Sequence, residues 1–252
     1  MNWFTPKCPV NVEEKEWIEE CFRWLIEEFG ADVLLNKKTI LPTDEFFPDR
    51  FSADIYSLRK LLARVCFYMD VDIADVELRI FSHDENESPH PLTPIKSKEN
   101  GACGLYRFYR GKHYISIETK LLSSPANLIA TISHELAHAK LIGENRLDPE
   151  DEEDHEFLTD VTTFFFGFGI FTANSLFIFE QWTNSSFQGW QASRFGYITE
   201  EMAGYALALL AYLRGETNPN WKKFLEGSAK SYFKSSLKYL EKTHDTKLKR
   251  LV

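Results

Sequence analysis

The chain is short of positive charge: 29 Lys and Arg stand against 38 Asp and Glu, a formal net charge of −9. Phosphate binding draws on clustered Lys and Arg, so this balance argues against a nucleic-acid surface and no nucleic-acid partner is expected. The four cysteines, Cys8, Cys21, Cys66 and Cys103, form no C-x-x-C pair. Neither a zinc ribbon nor a dense disulfide framework is therefore indicated, and reduced thiols in the cytoplasm fit best. The opening stretch, MNWFTPKCPVNVEEKEW, lacks the basic start and apolar core of a secretory signal, which again points to an intracellular protein. There is no internal repeat.

Long apolar runs are scarce too. One uncharged stretch, Val161 to Phe179, approaches the length of a membrane span. It carries Thr162, Thr163, Thr172, Asn174 and Ser175, and it follows a very acidic segment with no basic flank to set orientation. A buried helix pair is the expectation, and a membrane is not an expected partner.

What is present reads as helix, then sheet, then helix. Asn11 followed by Glu14 marks a helix start; Trp17, Ile18, Cys21, Phe22 and Leu25 recur at helical spacing until Gly30. A second helix begins near Ser52 and should bury Ile55, Leu58, Leu61, Leu62 and Val65. Val76, Leu78 and Ile80 then alternate with Glu77 and Arg79, the pattern of a half-buried strand. Ser82 to Gly101 reads as a long loop. Leu105–Tyr109 and Tyr114–Thr119 follow as a hairpin turning at Arg110, Gly111 and Lys112. Beyond it, Ser124 and Pro125 predict a capped helix start running to Gly143, and further helices should start before Glu156, at Thr199 and near Asn218 and Pro219. The basic residues Lys242, Lys247, Lys249 and Arg250 read as a solvated tail.

The segment Thr131 to Leu141, TISHELAHAKL, carries the chemistry. Residues four apart on an α-helix differ by about 40° in direction, so His134 and His138 project from one face and can bind the same ion. Glu135 lies about 100° round from His134: a poor third ligand, but near enough to reach a metal-bound water as general base. With seven histidines in 252 residues, an accidental His-Glu-x-x-His has a probability on the order of 1%, so context must decide. The motif sits among Leu128, Ile129, Ile132, Leu136 and Leu141, and buried imidazoles and carboxylates are costly unless paired or metal-bound. Downstream, an acidic run leads into Glu156-Phe-Leu-Thr-Asp160, two more carboxylates four apart. If residues 146–154 loop back, Glu156 completes a two-His, one-carboxylate zinc site with a position left for water, and Asp160 can hold a ligand histidine by its other N–H. His155, beside Glu156, is an alternative metal ligand, and Asp160 a weaker one.

These residues resemble the thermolysin-like zincins, or gluzincins, in which HExxH is followed on a later helix by E-x-x-x-D. In particular they resemble compact intracellular ImmA/IrrE-like metalloproteases and bacterial proteins with a similar HELAH and DHE-x-LTD pair. The resemblance spans roughly Leu105 to Ala173. It implies an α+β, zincin-like fold, mainly helical, with a small three- to four-stranded sheet packed on the HExxH helix. It also implies His134, His138 and Glu156 as Zn2+ ligands, Glu135 as base and Asp160 behind them. One domain, 1–252, is expected, with a helical cap over 1–70 and the core and C-terminal helices over 71–252.

The expected activity is that of a zinc metallopeptidase hydrolysing an amide bond of a peptide or protein substrate by metal-activated water. The alternative is a catalytically silent, metal-stabilised binding or sensing module, with Cys103 or His155 closing the fourth position. Such a reaction calls for an oxyanion donor; Tyr197 and Tyr205 are candidates, although Tyr205 shares an apolar stripe with Leu209 and Tyr212. His83 and His113, beside strands, read as surface histidines.

Overall fold

The computed structural model describes residues 6–82, 103–148, 155–182 and 198–252. In chain order its elements are α1 (Val12–Phe29), α2 (Ala31–Asn36), α3 (Ile55–Met69), β1 (Val76–Phe81), β2 (Gly104–Tyr109), β3 (Lys112–Glu118), α4 (Pro125–His138), α5 (His155–Phe165), α6 (Gly169–Trp182), α7 (Glu200–Leu213) and α8 (Ala229–Thr243). The result is a mainly helical protein with a small mixed sheet, an α+β composition. It divides into two compact units, Met1–Leu41 with Asp154–Val252, and Pro42–Glu153. The two helices that the sequence groups into one N-terminal cap, α1 and α3, therefore belong to different units.

In the unit Pro42–Glu153, β3 lies between the other two strands, parallel to β1 and antiparallel to β2. The β2–β3 turn places both Arg110 and Gly111 at positive φ, 50° and 74°. That is the backbone twist two-residue hairpins favour. Ile115 and Ile117 of β3 are fully buried, as are Leu128, Ile132 and Leu136 of α4. The three α4 residues recur at four-residue spacing, and each contributes about 1.5–3 kcal/mol by leaving water. Helix α4 thus packs on β2, β3 and α3. Pro125 stands in its first turn, but the Ser124 side chain makes no capping bond, contrary to the expectation from sequence: at φ −132° and ψ 87° its backbone departs from the extended geometry an N-cap needs. The helix also changes pitch after His138, finishing as a π-helical turn over Ala139–Gly143. Such turns recur at functional sites.

In the other unit, α1 has the expected capping box: Glu14 N–H donates to Asn11 Oδ1 at 2.8 Å, and Asn11 N–H to Glu14 Oε2 at 3.1 Å. Its Ile18, Phe22 and Leu25 are fully buried, and it packs on α5 and α7. The uncharged stretch Val161–Phe179 forms a helix pair, α5 and α6, broken at Gly167, where φ is 95°. Among the described residues no helix is long and apolar enough to cross a membrane. Near Asn218 the chain makes a 3₁₀ turn, Asn220–Phe224, and the next α-helix waits until Ala229. Beyond Ser82, the stretch expected from sequence to be a long loop lies outside the described residues.

Candidate metal centre

Helix α4 sets the first half of the site. His134 is half-buried, while Glu135 and His138 are buried. The two imidazoles sit one turn apart, ring centroids 5.0 Å from each other and planes at 86°, an edge-to-face arrangement in which the rings do not stack. An ionisable pair held inside a helix of leucines and isoleucines is costly unless paired or bound to a metal.

Strand β2 lies against this face. Side chains alternate along a strand, and Gly104, Tyr106 and Phe108 share one side of β2. Gly104 comes so close to α4 that a Cβ there would run into the Glu135 carboxylate and sit 2.6 Å from Thr131 Cγ2. Two residues on, the Tyr106 ring stacks on His138, centroids 5.6 Å apart and planes at 22°. Its hydroxyl is hydrogen-bonded to His113 Nδ1 at 2.9 Å. Burial holds the Tyr106 phenol well above its ordinary range and the His113 imidazole below its own. His113, expected to be a surface histidine, is half-buried behind Tyr106. The signal that could have found this pair is the register: Phe108 faces His113 across the strands, which puts Tyr106 and His113 on one diagonal.

Helix α5 carries the second set of candidates. His155 and Glu156 form its first turn, with His155 Nε2 at 3.1 Å from Glu156 Oε1. Trp17 of α1 stacks on the adjoining Phe157 at 3.8 Å and 14°, which fixes the start of the helix. Asp160 is buried, and its Oδ2 accepts the Ile198 N–H at 3.3 Å.

One ligand atom from each of His134, His138 and Glu156 lies within 4.8 Å of the others. This group can hold a metal ion. Two imidazoles and one carboxylate form a mixed nitrogen and oxygen donor set of the kind zinc accepts as three of its four ligands. His155 stands outside the group, as a neighbour of the carboxylate.

Tyr205 does not supply an oxyanion donor. It is fully buried, and its hydroxyl donates to Glu19 Oε1 at 2.7 Å, which commits the proton that role needs. Lys15 pairs with the same carboxylate at 3.0 Å. Cys103 is half-buried; burial first, then the Glu118 carboxylate, pushes its thiol up to about 11. Tyr197, His83 and the acidic run over 149–154 lie outside the described residues. No protein-family model, curated protein or solved structure matches the chain.

Proposed function

We propose that the protein is a zinc-dependent metallopeptidase of the zincin type, hydrolysing an amide bond in a peptide or protein. The observation that carries this reading is the grouping of His134, His138 and Glu156, with Glu135 set between the two histidines on the same helix. When bound, zinc supplies Lewis-acid polarisation of a carbonyl and acidification of water. Glu135 takes a proton from the attacking water and returns it to the leaving amine, so no covalent intermediate on the protein is required.

The surroundings support that division of labour. Glu135 is buried beside Gly104, so its carboxylate works in a setting where proton transfer is not short-circuited by bulk solvent. His155, 3.1 Å from Glu156, steadies the carboxylate ligand, and Asp160 one turn on serves as support behind the ligands. Among the described residues β2 stands at the edge of the sheet, where its backbone groups would let an extended peptide pair beside Glu135.

The test is cleavage of a peptide library by the wild type and by Glu135→Gln, with zinc content measured on both. The wild type should cleave, and the variant should hold zinc while losing turnover by at least about 100-fold, the lower end of a general base's contribution. Undiminished turnover in Glu135→Gln would remove the proposed base. Zinc retention with no cleavage by either protein would favour the silent binding module instead.

A further inference from the structure

A metal ligand must present its nitrogen lone pair along a narrow direction, and a histidine side chain has two torsions with which to lose it. Something must hold each imidazole. Glu135 and His134 share a helix with His138, but His138 sits where α4 gives way to the π-helical turn Ala139–Gly143, so the helical frame behind it is already changing pitch. The contacts that compensate come from the sheet.

Three of them fit together. The Tyr106 ring lies on the His138 ring at 5.6 Å with planes 22° apart, an offset stack that limits rotation of the imidazole about its second torsion. The Tyr106 hydroxyl is tied to His113 Nδ1 at 2.9 Å, which in turn restrains the tyrosine. His113 is packed against Phe108 at 5.1 Å between centroids. Gly143 closes the far end: a Cβ there would lie 2.7 Å from Tyr106 Oη and 2.8 Å from His113 Nδ1, so a residue with a side chain would displace both members of the pair. The hydroxyl is turned to His113, and the ring face of Tyr106 lies toward His138.

We infer that Tyr106, locked by His113, is a positioning residue that fixes the His138 imidazole in its metal-binding orientation. This rests on the zinc reading above and extends it to residues that bind no metal themselves. Groups standing behind metal ligands set the geometry of the ion they never touch.

The experiment is zinc affinity by competition with a chromophoric chelator, paired with the visible spectrum of the Co2+-substituted full-length chain. Tyr106→Leu removes the ring and should weaken zinc binding about 10- to 100-fold, the usual loss for a group behind a ligand, with a shifted and weaker Co2+ band. Tyr106→Phe keeps the ring and loses the hydrogen bond, so it should restore most of the affinity and sit within about two- to tenfold of wild type, the span of one hydrogen bond. His113→Leu should match it, and the double variant Tyr106→Phe with His113→Leu should be no worse than either alone, because both delete the same bond. A merely structural pair would lower the unfolding midpoint and leave the Co2+ spectrum unchanged. Wild-type affinity and spectrum in Tyr106→Leu, with both lost in His138→Ala, would overturn the positioning role and leave the zinc site standing. Failure of the wild type to bind zinc at all would overturn the site and this role together. If Tyr106→Leu does not fold, Tyr106→Phe, His113→Leu and their double variant decide: wild-type behaviour in all three, or additive losses in the double variant, contradicts the inference.

Discussion

Gly104 makes the room that Glu135 occupies: any Cβ at residue 104 would meet the Glu135 carboxylate and press on Thr131 Cγ2 at 2.6 Å. The carboxylate end can swing aside, but the threonine methyl, held on a helix backbone, cannot do so cheaply. A strand residue far from the HExxH motif in sequence therefore decides where the proposed base sits.

Gly104→Ala should accordingly separate the base from the metal. The variant should keep zinc binding and lose about 1–3 kcal/mol of stability to overpacking against Thr131, while kcat on a cleaved peptide falls by about 10- to 100-fold, the order of a small misplacement at a reacting centre. Steady-state kinetics alongside zinc content checks this; equal loss of zinc and activity would place the residue's effect on the ligands instead.

Glu156 and His155 are adjacent in sequence, and the sequence alone leaves either as third ligand. With the carboxylate grouped with both histidines and His155 Nε2 against it at 3.1 Å, their variants should differ. Glu156→Ala should weaken zinc binding by more than about 100-fold, and His155→Ala by no more than about tenfold, as expected of a supporter behind a ligand. Calorimetry with zinc measures both, and the reverse order would make His155 the ligand.

Tyr205 and Glu19 define a separate stability prediction. Tyr205→Phe removes one of the two donors to Glu19 Oε1 and leaves Lys15 as the other, at a cost of about 1.5–3 kcal/mol for a hydrogen bond to a charged group, read by urea unfolding at neutral pH. The same pair sets an alkaline limit. Burial, then the charge of Glu19, pushes the Tyr205 phenol far above its ordinary range, so the folded chain keeps a proton that the unfolded chain releases near pH 10. Stability from this group is thus full below about pH 10 and falls as pH rises beyond it. Tyr205→Phe should flatten that fall; an unchanged slope would mean the phenol is not the group responsible.

The thiols offer a check on the fold itself. Burial pushes Cys66 up to about 12 and Cys103 up to about 11, and the thiolate is the reacting form. In native protein at pH 8 both should react with a thiol reagent far more slowly than in denaturant. Rapid labelling of Cys66 without denaturant would contradict the packing of α3.

The parts of this architecture that follow local rules can be read from the sequence. The capping box of α1, the strand β1, the hairpin at Arg110–Gly111 and the helix pair in Val161–Phe179 each depend on neighbours within a few residues, and each forms as those neighbours require, although burial along β1 does not alternate: Arg79 is half-buried and Ile80 and Phe81 are both buried. The His134–His138 face is of the same kind. Other features depend on contacts between distant segments. Ser124 has the right chemistry for a cap, yet its backbone is drawn away from cap geometry. The Asn218–Pro219 signal starts only a 3₁₀ turn. Tyr106 carries no signal and His113 reads as a surface histidine, because a tyrosine in an edge strand and a histidine beside a turn have no helical or ligand spacing; only the β2–β3 register joins them. Gly104 and Gly143 look like ordinary loop-side glycines until the atoms opposite them are known.

Zinc K-edge X-ray absorption of the metal-loaded chain reads the proposed site of two imidazoles and one carboxylate at the ion itself. One zinc per chain is expected, with a first shell of nitrogen and oxygen at about 2.0–2.2 Å and the outer-shell scattering of two imidazoles. A shell containing sulfur at about 2.3 Å, or a chain that retains no zinc, would contradict it.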